Sequence, residues 1–151
     1  MDNSAVVGVT HTGFTVAKLE RASAFFRDVL GFEISPTVRQ SGEVVGRMVG
    51  IPEAELDIAF ATGGGHTIEL IQYVRPDGGP LNRRHCDIGY THLAVMVRDI
   101  EAMAAAVADA GYRLFSKPQI VPAGPRKGLK NVYAEGPDGI VLELQESPRS
   151  V

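Results

Sequence analysis

One pattern occurs twice in this chain, as HTGFTVAKLERASAFF at residues 11–26 and as HLAVMVRDIEAMAAAV at residues 92–107. The apolar positions coincide, because Phe14 corresponds to Val95 and Leu19 to Ile100. Each copy begins with alternating apolar residues, as a strand does, and continues with apolar residues at helical spacing. A repeat of this length predicts that one structural unit has been duplicated.

The two copies also close in the same way. GHTIELIQ at residues 65–72 corresponds to GIVLELQE at residues 139–146, so that Glu69 matches Glu143. Alternating apolar segments on either side of glycine-rich turns predict a hairpin at the end of each copy, at 56–61 with 66–73 and at 130–134 with 140–145. The sequence therefore predicts an α+β fold of two tandem βαβββ modules, at about 6–75 and 88–147, within a single domain spanning 1–151.

The remaining elements follow from periodicity and from helix-stopping glycines. Helices are predicted at 19–30, ending at Gly31, and at 100–110, ending at Gly111. Strands are predicted at 6–16, 32–38, 89–97 and 112–115, and the segment 44–50 is interpreted as either a strand or a ligand-facing loop. The turn-rich segment 75–80 separates the two modules.

Composition excludes several classes of function. A chain of 151 residues with 44% hydrophobic content can bury a sizeable core as one unit. The net charge of −3 provides no basic surface for nucleic acid, so we expect no such partner. The single Cys86 excludes an internal disulfide and a cysteine-rich zinc site. No apolar segment is long enough for a membrane span, and no signal peptide is evident, so a cytoplasmic protein is expected.

Four polar residues occupy equivalent strand positions in the two modules: His11, Glu69, His92 and Glu143. Strand alternation places all four on the face opposite the apolar, helix-covered face. Each histidine alone could be a hydrogen-bonded structural residue, and each glutamate could point to water. A carboxylate within an apolar strand is otherwise costly unless it is paired or bound to a cation. Its recurrence in both modules favours a metal site.

The chain resembles the vicinal oxygen chelate superfamily, which includes glyoxalase I, methylmalonyl-CoA epimerase, extradiol dioxygenases and bleomycin or fosfomycin resistance proteins. The motifs that carry the resemblance are THTGFTV at 10–16, AFFRDVLGF at 24–32, HTIEL at 66–70, YTHLAV at 90–95 and GPDGIVLEL at 136–144. The resemblance implies curved mixed sheets around a metal-binding cleft, helices on the outer face, and a homodimer. The positions that match the family's metal ligands are His11, Glu69, His92 and Glu143.

This ligand set combines nitrogen and oxygen donors without sulfur, so that Zn, Co, Ni, Mn and Fe(II) all remain possible, with Zn as the first expectation. The resemblance implies an isomerase, epimerase or lyase that abstracts a proton next to a carbonyl and stabilises an enolate or enediolate by bidentate metal chelation. Glu69 and Glu143 are the candidates for proton transfer. The expected substrate is a small molecule with vicinal oxygens, such as a thioester, a hemithioacetal, or an oxidised sugar or cyclitol ketone.

Three alternatives remain open. Lactoylglutathione lyase proper is favoured by Glu69, because the epimerase pattern carries glutamine there, although the spacing of the ligands resembles the epimerase. An extradiol dioxygenase needs two histidines and one carboxylate, and the additional Glu69 counts against it. A metal-free binding or resistance protein of the same fold would not need the four ligands.

Substrate contacts are predicted for Arg47 and for the basic loop at 125–131, which contributes Arg126, Lys130 and Asn131. A glycine-bearing basic loop before the final hairpin could close over an anionic or hydroxylated ligand, and a solvated surface loop is the alternative. Two further residues are ambiguous from sequence. Asp57 is interpreted as an edge-strand residue or as a site residue, and Tyr133 as part of the core or of the pocket.

Overall fold

The computed structural model describes residues 5–148. Its nine strands and three α-helices follow one another in the chain as β1 Thr12–Thr15, α1 Leu19–Ala24, β2 Glu33–Ile34, β3 Val38–Gln40, α2 Glu43–Val49, β4 Glu55–Gly63, β5 His66–Arg75, β6 His92–Met96, α3 Ile100–Asp109, β7 Gln119–Ile120, β8 Lys130–Glu135 and β9 Val141–Glu146. A π-helical turn, Phe25–Val29, extends α1. None of the described helices is long and apolar enough to cross a membrane.

The first module forms a five-stranded sheet in the order β1-β5-β4-β2, with β3 also paired to β4. β1 runs parallel to β5, so that Gly13 lies opposite Glu69. The antiparallel hairpin β4–β5 places Phe60 opposite the same glutamate. Gly64 and Gly65 both adopt positive φ angles, of 59° and 77°, which is the geometry of a two-residue hairpin turn.

The second module repeats this arrangement in a four-stranded sheet, in the order β6-β9-β8-β7. β6 runs parallel to β9 and places Ala94 opposite Glu143. The antiparallel pairing of β8 with β9 places Tyr133 opposite the same glutamate. The registers of the two sheets therefore match residue for residue around their glutamates, and the predicted α+β fold of two tandem units with mixed sheets is confirmed.

One apolar core joins the two modules. α1 and α3 cover the outer faces of the two sheets, and side chains from both sheets belong to a single buried cluster. Its largest fully buried aliphatic and aromatic members are Phe26, Ile68, Leu70, Ile100, Val107, Val132, Leu142 and Leu144. Each such side chain contributes about 1.5–3 kcal/mol relative to exposure. Burial on the helix-covered faces of the two sheets therefore holds the chain together. The opposite faces, which we call the inner faces, remain available for a site.

The helix predicted at 19–30 has the expected extent but not a uniform type. Residues 25–29 form a π-helical turn, in which the Leu30 N–H donates to the carbonyl of Phe25. Both Phe25 and Phe26 are buried, with their rings packed edge to face. A widened turn lets these adjacent rings enter the same core, and Gly31, at φ 72°, ends the helix.

The predicted strands are shorter in the structure than in the sequence pattern. Within residues 5–148 no strand begins before Thr12, and β6 begins at His92. Both strands lie at sheet edges, so only the residues opposite β5 or β9 have a strand to pair with. Ser35 and Pro36 divide the predicted strand 32–38 into β2 and β3. The segment 112–115 contributes a single bridge through Leu114, and β7 was not predicted.

The segment 44–50 was predicted as a strand or a loop and is the helix α2 instead. Gly42 and Gly50 flank it with φ angles of 100° and 71°, and Gly50 forms its left-handed cap. Val45 packs against the buried Leu56 and Ile58, so tertiary burial outweighs the strand propensity of valine. These residues of β4 alternate with the outer-face residues, which places α2 on the Glu69 face. The expectation that all helices lie on the outer face is therefore wrong for α2.

Candidate functional site

The first predicted pair forms where β1 lies beside β5. The Nε2 atom of His11 is 3.2 Å from Oε2 of Glu69. The ring of Phe60 meets the imidazole edge to face, with 6.1 Å between ring centroids. Glu69 points away from the helix-covered core because its neighbours Ile68 and Leu70 are fully buried there. A histidine and a carboxylate therefore share the inner face of the first sheet.

Thr10 contacts the other nitrogen of this imidazole. Its Oγ1 atom lies 3.1 Å from Nδ1 of His11. When Nδ1–H donates to this hydroxyl, the lone pair of Nε2 is left facing Glu69, which is the tautomer that a metal-binding imidazole needs. Thr12 instead places its hydroxyl 3.0 Å from Nε2 of His66, so that His66 belongs to the hairpin edge.

The second pair has the same geometry in the second sheet. The Nε2 atom of His92 is 3.0 Å from Oε2 of Glu143. Tyr133 meets this imidazole edge to face at 5.4 Å, as Phe60 meets His11. Duplication therefore reproduces the pair together with its aromatic neighbour.

Glu143 has several polar partners. The side-chain amides of Asn131 and Gln145 both donate to its Oε1 atom, the latter at 2.8 Å. Nη1 of Arg126 lies 3.7 Å from the same oxygen. Burial raises the pKa of Glu143, but the hydrogen bonds from Gln145, Asn131 and Tyr133, together with the charge of His92, lower it below its usual value. This carboxylate is therefore held ionised.

Two of these partners change the sequence-based interpretation. Tyr133 lies on the site face and hydrogen-bonds to Glu143, and its pKa is raised by burial and by the nearby carboxylate. Gln145 was not predicted as a site residue. It follows Glu143 by two positions in β9, and strand alternation was the signal that could have identified it.

The two pairs lie on different sheets, and the chain does not bring them together into one compact cluster. Among the described residues, no group that combines three of the four side chains has its ligand atoms within 4.8 Å of one another. Each module thus presents one histidine nitrogen and one carboxylate.

Three other acidic residues, Asp99, Glu101 and Glu146, do have their carboxylate oxygens within 4.8 Å of one another. Asp99 caps α3 by accepting from the Ala102 N–H, and Glu146 accepts from the Ile100 N–H at 2.7 Å. The Nζ atom of Lys130 lies 3.0 Å from Glu101. The cluster is therefore explained by the start of the helix and its counter-charge.

Lys130 was predicted to bind substrate, and the structure places it on the opposite side of the sheet. It alternates with Asn131 along β8, so that Asn131 reaches Glu143 while Lys130 reaches Glu101 on α3. Strand alternation is the physical reason for this difference. The other predicted residue of this loop, Arg126, does lie beside Glu143.

Neither Arg47 nor Asp57 contacts a His–Glu pair, and the two residues lie on different surfaces of the first module. Arg47 lies on α2, is exposed, and pairs with Glu43 one turn earlier. Asp57 lies within the sheet and not at its edge, because β4 is paired there with both β3 and β5, and it accepts a hydrogen bond from Arg39 of β3, which lowers the pKa of its carboxyl. Asp57 alternates with Ile58, which shares the Glu69 face, and so Asp57 points away from the pairs.

A cleft of about 700 Å³ opens between the modules. Its walls include Gly13, Phe14 and Thr15 of β1 and the linker from Asp77 to Leu81, and neither His–Glu pair lines it. β1 pairs only with β5, so no described strand pairs with its other edge. This open edge is a surface against which another strand or subunit could pack.

Comparison with known proteins adds to this geometry. Residues 10–133 match the family model described as Glyoxalase/Bleomycin resistance protein/Dioxygenase superfamily. A 2-epi-5-epi-valiolone epimerase from Actinomyces sp. is 35% identical over 147 residues, which cover 94% of this chain and 80% of the relative. A lactoylglutathione lyase from Haemophilus influenzae is 27% identical over 146 residues, with 92% of each chain covered.

Solved structures show the same fold. A glyoxalase family protein from Bacillus cereus superposes with a TM-score of 0.84 at 23% identity, covering 98% of this chain and 99% of the other. A fosfomycin resistance protein from Listeria monocytogenes, complexed with Mn(II) and sulfate, superposes with a TM-score of 0.62 at 14% identity, covering 95% of each chain.

Proposed function

Because the chain belongs to the Glyoxalase/Bleomycin resistance protein/Dioxygenase superfamily, we propose that it is a divalent-metal-dependent epimerase that removes and returns a proton next to a carbonyl. The observation that carries this proposal is the His–Glu pair, which occurs twice in equivalent register. A structural role would explain one such pair. Two pairs on the inner faces of duplicated sheets are the donor set of one mononuclear site.

The donors fit a divalent cation of intermediate hardness. Two imidazole nitrogens and two carboxylates suit Zn, Co, Ni, Mn or Fe(II), and zinc is our first choice. Thr10 would fix the tautomer of His11, and Glu143 is ionised as a metal ligand must be. The Mn(II) in the fosfomycin resistance protein supports a metal in this fold.

We propose that two chains complete the site, with module 1 of one facing module 2 of the other. The chain exposes 10172 Å², whereas a compact monomer of 16.2 kDa exposes about 7,500 Å². The exposed residues 5–11, which precede β1, account for part of this excess. The half-exposed rings of His11 and His92 lie on the surfaces that would meet.

The chain's own residues would then move the proton. A glutamate oxygen accepts the proton as the substrate C–H bond breaks, and the electron pair of that bond forms the new C=C bond while the carbonyl electrons move to oxygen. A divalent cation bound by the four donors would supply Lewis-acid stabilisation of that oxygen charge. Delivery of a proton from solvent to the opposite face of the same carbon re-forms the C=O bond and inverts the configuration without any change in oxidation state.

Arg126 and Asn131 are placed to orient a polar substrate, because both lie next to Glu143 at the open face of the second sheet. Arg47 is carried by α2 on the face that bears Glu69, and we retain it as a substrate contact from that side. The relative at 35% identity is named as an epimerase, which supports a hydroxylated ketone as the substrate class. The lactoylglutathione lyase relative makes the hemithioacetal of methylglyoxal and glutathione the second candidate.

The test is metal analysis of the purified protein, followed by solvent deuterium exchange into a panel of substrates. We expect one divalent ion per chain, and exchange at the carbon next to the carbonyl of a hydroxylated ketone without oxygen consumption. Exchange or turnover only with the hemithioacetal would select the second candidate. Oxygen-dependent cleavage of a catechol, or the absence of bound metal after incubation with each of the five ions, would overturn the proposal. Gln119→Leu, a substitution on the exposed strand β7, is the control variant and should leave metal content and exchange unchanged.

A further inference from the structure

The two glutamates occupy different surroundings, although their strand positions are equivalent. In the first sheet, Phe60 pairs with Glu69 across the hairpin, and the neighbouring pair on the same face is Ile58 with Ile71. In the second sheet the equivalent positions around Glu143 are Tyr133, Asn131 and Gln145. The correspondence is exact in register, since Ile58 pairs with Ile71 as Asn131 pairs with Gln145. Three apolar side chains in one half are thus matched by three hydrogen-bonding side chains in the other.

These side chains determine how firmly each carboxylate is held. Glu143 is 5% exposed, and its Oε1 atom accepts from both amides while Oε2 faces His92. For Glu69, His11 is the only hydrogen-bonding or ion-pair partner recorded among residues 5–148. Gly13, opposite Glu69, has no side chain to restrain the carboxylate, and even a Cβ there would be 3.7 Å from Oε2 of Glu69. The Glu69 carboxylate therefore has few hydrogen bonds to break when it moves.

We infer that the two glutamates divide the work of the proposed site, Glu143 as the permanent metal ligand and Glu69 as the carboxylate that moves the substrate proton. This inference rests on the proposed function. Gln145 and Asn131 are positioning residues, which act by keeping Glu143 in one orientation. The apolar surroundings of Glu69 leave its carboxylate as the polar group that can swing between two positions.

Metal affinity distinguishes these roles without any substrate. We would titrate Zn(II) against a chromophoric chelator for the full-length protein and for Glu69→Gln and Glu143→Gln. We expect Glu143→Gln to lower the affinity by about 100-fold or more and Glu69→Gln by less than about tenfold, because only Glu143 is held in place by other side chains. Glu69→Gln should nevertheless abolish solvent deuterium exchange into the substrate. Equal losses of affinity in the two variants, or a larger loss in Glu69→Gln, would overturn the inference.

A second variant tests the positioning residues themselves. Gln145→Ile introduces the residue that the first module carries at the equivalent position, and we expect the Zn(II) affinity to fall about tenfold. Gln119→Ile is the matched control, since Gln119 lies on the exposed β7, and its affinity should be unchanged. An affinity within twofold of the parent for a folded Gln145→Ile would contradict the positioning role. If the parent protein binds no metal, the proposed function fails and the division of roles fails with it.

Discussion

At the scale of single residues, Thr10 contacts Nδ1 of His11 and leaves Nε2 facing Glu69. Replacement by valine preserves shape but removes the hydroxyl that lies 3.1 Å from Nδ1. We expect Thr10→Val to lower Zn(II) affinity about tenfold, because the imidazole loses its preferred tautomer and orientation. Chelator competition measures this effect. Thr12→Val is the control, since the hydroxyl of Thr12 contacts His66 instead, and an equal loss in both variants would show that Thr10 has no specific role.

Asp57 allows a pH-dependent prediction away from the site. Its hydrogen bond from Arg39 lowers the pKa of the carboxyl in the folded state, while the unfolded value is about 3.9. The carboxylate therefore stabilises the fold above about pH 4, and the contribution is lost as the pH falls through the lowered pKa. Because Arg39 is half exposed, we expect Asp57→Asn to reduce the free energy of unfolding by only about 0.5 kcal/mol at pH 7.

Urea unfolding of the parent and of Asp57→Asn at a series of pH values would check this prediction. The difference between the two proteins should shrink as the solution becomes more acidic. A difference that stays constant down to pH 2.5 would show that the ion pair with Arg39 is not its source.

Strand alternation explains what sequence could and could not reveal about individual residues. It places Glu69 and Glu143 on the inner faces, as the structure does. The same rule separates Lys130 from Asn131, whereas a loop-based argument grouped them as one basic segment; Lys130 contacts Glu101 on α3, and Asn131 contacts Glu143. Gln145 was overlooked because a lone glutamine has no distinctive chemistry until its neighbour across the hairpin is known.

At the scale of elements, α2 depends on the close approach of Gly46 to the chain that follows it. A Cβ at this position would stand 3.0 Å from the carbonyl oxygen of Ile51 and 3.2 Å from the backbone nitrogen of Glu53. Helix propensity alone would favour alanine by about 1 kcal/mol. We expect overpacking against backbone atoms to exceed this gain, so that Gly46→Ala lowers stability by about 1 kcal/mol.

Thermal and urea unfolding would measure the effect of Gly46→Ala, with Val44→Ala as the control on the exposed face of the same helix. The control should change stability by no more than about 0.5 kcal/mol. Stabilisation of the protein by Gly46→Ala would mean that propensity dominates and that the approach to Ile51 is easily relaxed.

The same helix shows why some elements could be predicted and others could not. The hairpin β4–β5 and α3 follow from local signals, namely paired glycines and apolar residues at regular spacing, and both were predicted. α2 carries three valines and little local helix signal. Its helical form comes from burial against Leu56 and Ile58, which belong to a later strand, and such long-range contacts cannot be recognised in a single sequence.

At the scale of the whole molecule, duplication predicts two half-sites but not how they combine. Each half contributes a histidine and a glutamate, and the described chain keeps the halves on separate sheets. In a symmetric dimer, contacts of module 1 with the partner's module 2 would be repeated by the twofold axis. Two sites would then form, each built from residues of both chains.

Mixing of inactive variants distinguishes this arrangement from sites built within one chain. His11→Ala damages only module 1 and His92→Ala only module 2, so each homodimer lacks a complete site. After joint refolding, half of the dimers are expected to be mixed, and each mixed dimer would hold one intact site and one doubly damaged site. Metal capacity and activity should therefore recover to about a quarter of the parent value by statistical mixing. Sites formed within single chains would show no recovery, because every module pair would still carry one substitution.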